Sequence, residues 1–274
     1  MSSQEVLPGY EPAWHGLPSQ LRARLGFWIT DAGVKADADI YGFNTALHVG
    51  DHEPQVLGRR QRLAEHLGVS VVWLKQVHGV ECADVSGQPA SLMDALTADA
   101  AFSTRGGQAV GVMTADCLPV LLVNRAGTAV AAAHCGWRGL LNGVLENTVL
   151  RLRKASCPVS AQGLAEPAEV YACFGPAIGP ASFEVGAEVR EAYLRKSEAY
   201  EACFSSSVNE NGSLQGQGGK FMADLYGLAG LTLSAMGAVE VASCEKDTFT
   251  DPRLFSYRRS PVTGRMASLI WLKD

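Results

Sequence analysis

Three residues that can bind a metal ion or act in catalysis stand at the ends of apolar segments of this 274-residue chain. His78 and His134 each end a run of β-branched or small apolar residues, and Cys117 lies in a polar step between two such runs. If the runs are strands, the three side chains lie at strand ends, where the binding sites of sheet proteins often form.

Two kinds of chemistry fit these residues, and their spacing does not separate them. Two imidazoles and one thiolate with an open fourth position are typical of a catalytic zinc site, since structural zinc sites usually take four protein ligands. Alternatively, Cys117 is a thiolate nucleophile with His78 or His134 as its base, and no metal is needed. Cys135 is a rival nucleophile, but neighbours on a strand point to opposite faces, so we expect it to face away from His134. The simplest alternative is that all of these side chains only pack in the core.

The elements that position these residues follow from the apolar patterns. Segments with β-branched or alternating character predict strands at 69–77, 109–113, 118–124, 128–134, 169–174, 239–243 and 267–272. Apolar stripes with helical spacing predict helices at 55–67, 140–153, 186–196 and 221–236. Strands with separate helices predict an α/β or α+β fold built in layers. The glycine-rich motifs that bind dinucleotides or nucleoside triphosphates are absent from the sequence.

Composition restricts the possible partners and location. The 23 basic residues against 28 acidic ones give a net charge of −5, which argues against a nucleic-acid surface. A small anionic substrate needs only local positive charge. No apolar run reaches the length of a membrane span, and no signal peptide is visible. The seven cysteines contain no Cys-x-x-Cys pair, which predicts reduced thiols in a cytoplasmic protein.

Six short blocks of the sequence resemble the YfiH-type laccase-domain family. The blocks are 73–79 (WLKQVHG), 114–119 (TADCLP), 133–139 (AHCGWRG), 175–180 (GPAIGP), 183–186 (FEVG) and 255–259 (FSYRR). Their order and spacing agree with the family from about residue 40 to 272. We therefore interpret residues 1–274 as a single domain of this type, in which 1–39 form a poorly matched N-terminal segment.

The resemblance implies a fold, a metal site and a set of activities. It implies a single-domain α/β/β/α layered sandwich and a metal, usually Zn²⁺ with copper possible, held by His78, Cys117 and His134. It implies phosphorolysis of the purine nucleosides adenosine, inosine, guanosine and methylthioadenosine, and deamination of adenosine. The alternatives are copper-dependent polyphenol oxidation and a cysteine- or metal-dependent hydrolase that edits peptidoglycan precursors.

Elementary chemistry separates some of these activities. A multicopper laccase needs roughly ten histidines, often in His-x-His pairs, whereas this chain has six and no such pair. Adenosine deamination fits attack of a metal-activated water on the purine. The usual zinc deaminase signature is absent, so such an activity would use a different architecture. Phosphorolysis needs a phosphate held near C1′ of the ribose.

Four polar residues are candidates for substrate binding. Arg60 is predicted to be exposed on the 55–67 helix and to bind phosphate; the alternative is that backbone N–H groups before a helix hold the phosphate. Asn44 and Arg138 are predicted to contact substrate. Asp116 is predicted either to accept a hydrogen bond from a ligating histidine and so orient it, or to bind substrate. The arginine that the family carries near its N-terminus is missing from this chain, which lowers the expected substrate affinity rather than metal binding.

Five other residues receive structural predictions. Arg258 and Arg259 are predicted to form salt bridges at a strand end. His48 and His52 are predicted to be exposed in a loop, and Trp137 is predicted to belong to the core.

Overall fold

Two β-sheets packed face to face form the middle of the fold. The computed structural model describes residues 7–33, 40–156, 169–206 and 219–274. Its strands are β1 (Leu25–Ile29), β2 (Ser70–Lys75), β3 (Cys82–Asp84), β4 (Asp94–Thr97), β5 (Ala100–Ser103), β6 (Gln108–Thr114), β7 (Leu118–Asn124), β8 (Val130–Cys135), β9 (Val170–Phe174), β10 (Glu184–Gly186), β11 (Phe204–Ser206), β12 (Lys220–Ala223), β13 (Val239–Ser243) and β14 (Met266–Leu272).

The first sheet has the strand order β1-β14-β6-β2-β4, and the second has the order β13-β9-β7-β8-β5-β3. In the first sheet β14 is antiparallel to both of its neighbours, while β2 runs parallel to β6 and β4. In the second sheet the middle strands are antiparallel and the edge strands β13 and β3 are parallel to their neighbours. A small antiparallel sheet, β10-β12-β11, lies beside them.

The space between the two large sheets is filled by apolar side chains from both. Phe27 and Ile270 of the first sheet belong to the same buried cluster as Leu121 and Val130 of the second. Every residue of β6, β7 and β14 is buried. Because both faces of these strands are covered, they read in the sequence as continuous apolar runs rather than as alternating patterns.

Helices other than the short first one cover the outer faces of the two sheets, whereas Leu21 of that first helix belongs to the cluster between them. The helices are α1 (Ser19–Ala23), α2 (Glu53–Leu67), α3 (Trp137–Asn142), α4 (Val144–Ser156), α5 (Ala187–Lys196) and α6 (Leu225–Ala235), with a 3₁₀-helix at Glu198–Cys203. Leu63 of α2 packs with Trp73 on the first sheet, and Val149 of α4 and Leu228 of α6 pack in the cluster that covers the second. This arrangement confirms the predicted single-domain α/β/β/α sandwich.

The predicted elements match the observed ones except at glycines and short strands. The predicted helix 140–153 is divided into α3 and α4 at Gly143, whose φ of +105° ends the first helix in a left-handed cap. The predicted helix 221–236 begins late, because its first residues belong to β12. Strands β1, β3, β4, β5, β10 and β11 are not predicted, since they are short or rich in alanine and carry little period-2 pattern.

Two further expectations concern thiols and membranes. Six of the cysteines are free in the described part of the chain, as expected for reduced thiols, and Cys157 lies outside the described residues. Within the described ranges, no helix is both long and apolar enough to cross a membrane.

Candidate functional site

The chain crosses between the two sheets at one edge, and this crossing brings the three candidate ligands together. His78 follows β2 of the first sheet, and the segment from β6 to β7 carries Cys117 across to the second sheet. Leu118 pairs with Cys135 in the antiparallel register of β7 and β8, so Cys117 lies beside the end of the strand that holds His134. One ligand atom from each of the three residues lies within 4.8 Å of the other two.

The geometry of this cluster fits a metal ion. Cys117 Sγ lies 3.8 Å from His78 Nε2, and the rings of His78 and His134 meet edge to face with centroids 4.7 Å apart. On a tetrahedral zinc, a thiolate and an imidazole nitrogen are separated by about 3.5 Å. A donor set of one thiolate and two imidazoles suits zinc or copper better than magnesium or calcium.

Gly136 is required by the tight packing around the cluster. A Cβ atom at this position would lie 2.8 Å from Cys117 Sγ and 3.1 Å from His78 Cδ2. Any side chain there would push the candidate ligands apart, so the glycine after the His134–Cys135 pair maintains their spacing.

The two histidines favour the thiolate form of Cys117. Burial alone would raise the pKa of the Cys117 thiol, but the charge and hydrogen bonding of His134, together with His78, lower it to about 6. Burial would lower the pKa of His134, but the Cys117 thiolate and the Asp99 carboxylate raise it to about 9. The cluster therefore presents a charged sulfur at neutral pH, which both metal ligation and nucleophilic attack require.

Asp99, which the sequence analysis did not single out, organises the cluster. Its fully buried carboxylate accepts a hydrogen bond from His134 Nδ1 at 2.8 Å and from the backbone N–H groups of Val77, His78 and Gly79. These bonds hold His78 in a left-handed conformation, with a φ of +58°, that is costly for a residue with a side chain. They also direct Nε2 of His134 away from Asp99 and toward the cluster.

Asp99→Asn is expected to weaken zinc binding by roughly 10–100-fold, the usual effect of losing a partner that orients a metal ligand. An amide has one oxygen and one NH₂ group, so at least one backbone N–H near His78 would face another donor. Competition with a chromophoric chelator would measure the affinity. Asp84→Asn, at an exposed carboxylate on β3, is the matched control. Equal zinc affinity in the two variants would contradict the assigned role of Asp99.

The prediction that Asp116 orients a ligating histidine is wrong, because its carboxylate bonds to other residues. Its carboxylate instead accepts hydrogen bonds from Thr248 Oγ1 at 2.6 Å and from the backbone N–H of Arg258 at 2.7 Å. Its carbonyl accepts from Ile178 N, and its φ is +96°. Asp116 thus holds the strained turn that directs the next residue, Cys117, into the site.

A cavity of about 420 Å³ opens in front of the cluster. Its apolar wall includes Trp137, Ile178, Phe183, Leu225 and Tyr257. Its polar wall includes His48, Gln76, Asp116, Arg138, Arg258 and Arg265. An apolar cavity with a few convergent polar groups is typical of a small-molecule site. Asp116 and Arg138 therefore lie where the sequence analysis expected substrate-binding residues.

Arg60 does not lie in this cavity, and the prediction that it is exposed is wrong. Its side chain is fully buried. The guanidinium donates to the carbonyls of Thr45 and Leu92, pairs with Asp94 at 2.8 Å and lies 4.3 Å from the centre of the Trp73 ring. Helix periodicity places Arg60 on the inner face of α2, and its bonding capacity is used by the protein itself.

Asn44 is also buried and does not line the cavity. Its side-chain amide donates to Ala46 O and Asp51 Oδ2, and its oxygen accepts from the backbone N–H groups of Ala46 and Arg265. The predicted direct contact of Asn44 with substrate is therefore corrected. Asn44 instead fixes the backbone of Arg265, which does line the cavity.

The expected salt bridges of Arg258 and Arg259 are not formed with the described residues. Arg258 donates to Glu184 O and lines the cavity, and Arg259 donates to backbone carbonyls, including Thr248 O and Leu254 O. His48 is exposed as predicted but also lines the cavity. Trp137 is half-buried: it packs against the core cluster, as predicted in part, and also lines the cavity. No sequence signal distinguished Arg265, because it stands alone before an apolar strand.

Comparison with known proteins gives consistent matches. The family model described as multi-copper polyphenol oxidoreductase laccase matches residues 24–273. The chain is 44% identical over 232 residues to an Escherichia coli (strain K12) protein named purine nucleoside phosphorylase YfiH, covering 84% of this chain and 86% of that one. It is 42% identical over 265 residues to a Pseudomonas aeruginosa protein also named purine nucleoside phosphorylase, covering 96% and 98%. A solved Neisseria meningitidis protein matches with a TM-score of 0.81 and 36% identity, covering 97% of this chain and 99% of that one.

The fold and the site together define a layered α/β/β/α protein with a His–Cys–His cluster at the junction of its two sheets. The chain belongs to the family described as multi-copper polyphenol oxidoreductase laccase, whose model spans nearly its whole length. The resemblance to YfiH-type laccase-domain proteins, noted in the sequence blocks, is therefore confirmed.

Proposed function

We propose that this chain is a metal-dependent purine nucleoside phosphorylase that also deaminates adenosine. The observation that carries the proposal is the cavity itself, in which a His–Cys–His cluster, an apolar wall and several cationic side chains converge. The names of relatives at 42–44% identity, purine nucleoside phosphorylases, support the phosphorolysis part of the proposal. The proposed substrates are adenosine, inosine, guanosine and methylthioadenosine, with inorganic phosphate.

The proposed phosphorolysis balances without any further reactant. An oxygen of phosphate forms a bond to C1′ of the ribose, and the C1′–N9 bond breaks with its electron pair on the purine. The proton of the attacking phosphate ends on a purine nitrogen, and the products are ribose 1-phosphate and the free base. The apolar wall, with Trp137 and Phe183, offers surfaces against which a purine can stack.

The metal proposed for this site is zinc, held by His78, Cys117 and His134. When bound, it supplies Lewis acidity and an activated water, which is the chemistry that deamination of adenosine requires. Asp99 retains the proton on Nδ1 of His134, so that the lone pair of Nε2 is available to ligate the metal. Three ligating side chains are too few to hold the several copper ions of a multicopper centre. Within the described ranges, these three residues are the single group of three or more suitable side chains.

The experiment that tests the proposal is an assay of purified protein of known metal content. Each nucleoside is incubated with and without phosphate, and the products are separated by chromatography. Release of hypoxanthine from inosine should require phosphate and yield equal amounts of ribose 1-phosphate. Adenosine should give inosine without phosphate. If no purine is released from any of the four nucleosides, the proposed phosphorolysis is wrong.

One observation favours a second candidate, a metal-independent thiol hydrolase acting on peptidoglycan precursors. Cys117, His134 and Asp99 form a chain of nucleophile, base and orienting carboxylate, which is the arrangement of cysteine hydrolases. The same three side chains therefore fit a reaction in which the sulfur itself attacks an amide carbonyl.

Alkylation separates the two candidates. If Cys117 ligates zinc, iodoacetamide should label it slowly in the zinc-loaded protein and at least about tenfold faster after chelation, because the metal shields the thiolate. Peptide mapping must locate the label, since other cysteines react as well. Equal labelling rates with and without zinc, together with activity that chelation does not change, would favour the hydrolase.

A further inference from the structure

Three arginines line the cavity without an acidic partner. Elsewhere in the fold, buried arginines are paired with carboxylates, as Arg59 is with Asp51 and Arg60 with Asp94. Within the part of the chain that the structure describes, Arg138, Arg258 and Arg265 form no ion pair.

Among the described residues, Asp116 is the one carboxylate that lines the cavity, and it forms no ion pair with these arginines. Both oxygens of Asp116 are occupied, one by the Thr248 hydroxyl and the other by the backbone N–H of Arg258. The cavity wall therefore carries three guanidinium groups against one carboxylate, although the protein as a whole has a net charge of −5.

Arg265 is the most constrained of the three arginines. Its backbone N–H donates to Asn44 Oδ1 at 2.8 Å, and its Nη1 donates to the carbonyls of Thr263 and Gly264 at 3.0 and 2.9 Å. A guanidinium has five N–H groups, so the donors on Nε and Nη2 have no partner among the described residues. The guanidinium edge that carries Nε and Nη2 is able to bind an oxyanion through two parallel hydrogen bonds.

A partly buried cation without a partner is costly, so its presence in a cavity points to a ligand. Burial lowers the pKa of Arg265, and the nearby charges of Cys117 and Asp116 oppose that effect. Arg258 and Arg138 are exposed and stack against aromatic rings of the wall, with guanidinium carbons 5.4 Å from the Phe183 ring centre and 4.5 Å from that of Trp137. Their positive charges lie at the rim, where they attract an anion.

We propose that Arg265, supported by Arg138 and Arg258 at the rim, forms a subsite for a tetrahedral oxyanion beside the His–Cys–His cluster. That the anion is the phosphate co-substrate rests on the proposed phosphorylase function. In this proposal the subsite replaces Arg60 as the place where phosphate binds.

The test compares Arg265→Gln with wild-type protein and with Arg105→Gln, an exposed arginine outside the cavity. Binding of inorganic phosphate is measured by calorimetry, and KM for phosphate is measured with saturating inosine. Arg265→Gln should raise both Kd and KM by roughly 10–100-fold, the range for losing charge-assisted hydrogen bonds. Arg265→Lys should recover only part of the affinity, because an ammonium keeps the charge but not the two parallel N–H donors of a guanidinium. Zinc content, measured on each sample, shows that the neighbouring cluster is intact.

The possible outcomes separate the subsite from the proposed function. Phosphorolysis by the wild type with unchanged Kd and KM in Arg265→Gln would overturn the subsite and leave the function in place. Phosphate binding that Arg265→Gln weakens, in a protein without phosphorolysis, would support the subsite and overturn the function. If Arg265→Gln does not fold, the double variant Arg138→Gln/Arg258→Gln decides, because both side chains are exposed. Its Kd for phosphate should rise at least about threefold, and an unchanged Kd would contradict the proposal.

Discussion

Cys117→Ala is expected to abolish zinc binding and to lower the rate of phosphorolysis by roughly 10²–10⁴-fold, the usual loss when a group central to catalysis is removed. Wild-type protein should contain about one zinc per chain, and the variant should lack it, because two imidazoles alone do not hold the ion firmly. Metal analysis of protein purified without added metal, together with the nucleoside assay, measures both effects. His78→Ala and His134→Ala should give the same result.

The matched control is Cys135→Ala. Cys135 neighbours His134 in sequence but is fully buried in the core cluster on the other face of β8, as the alternation of side chains predicted. Burial raises the pKa of its thiol well above the usual value, so it is not a reactive group. This variant should keep its zinc. Full zinc occupancy in Cys117→Ala would refute the metal site, whatever the activity.

Arg60→Ala is expected to lower the free energy of unfolding by about 3–5 kcal/mol, because the change leaves Asp94 without its partner in a largely buried position. It also leaves the carbonyls of Thr45 and Leu92 without donors and removes packing from the Trp73 ring. For a chain of this size the melting temperature should fall by roughly 10 °C.

Thermal unfolding measured by circular dichroism checks this expectation. Arg62→Ala on the exposed side of α2 is the control, and we expect it to change stability by less than about 1 kcal/mol. A weaker affinity for phosphate with unchanged stability would instead restore Arg60 as a substrate-binding residue.

Arg60 and Arg265 differ in the partners that their N–H groups meet. Both are partly or fully buried, but Arg60 directs its donors to a carboxylate and to backbone carbonyls. Arg265 lines the cavity, donates from Nη1 to two carbonyls, and has no partner for Nε and Nη2 among the described residues. The sequence singled out Arg60 rather than Arg265, because residue type and local pattern do not reveal which neighbours surround a side chain.

Much of this molecule is predictable from the sequence because it depends on local pattern. Continuous apolar runs such as those of β6, β7 and β14 mark strands that are buried on both faces, and the stripe of α2 marks a helix on a sheet. The candidate ligands His78, Cys117 and His134 were found from residue type and their position at segment ends. The sequence blocks around them led to the family that the whole-chain match confirms.

The tertiary structure alone decided which polar side chains surround the cluster. Asp99 reaches His134 because β5 and β8 pair in the same sheet, and Asn44 acts on Arg265 across more than two hundred residues of chain. Hydrogen bonds of a few ångströms depend on strand register and on the packing of one sheet against the other, which residue spacing does not encode. For that reason the candidate metal ligands could be named from the sequence, whereas only the fold revealed that Asp99 bonds to His134 and that Arg265 lines the cavity.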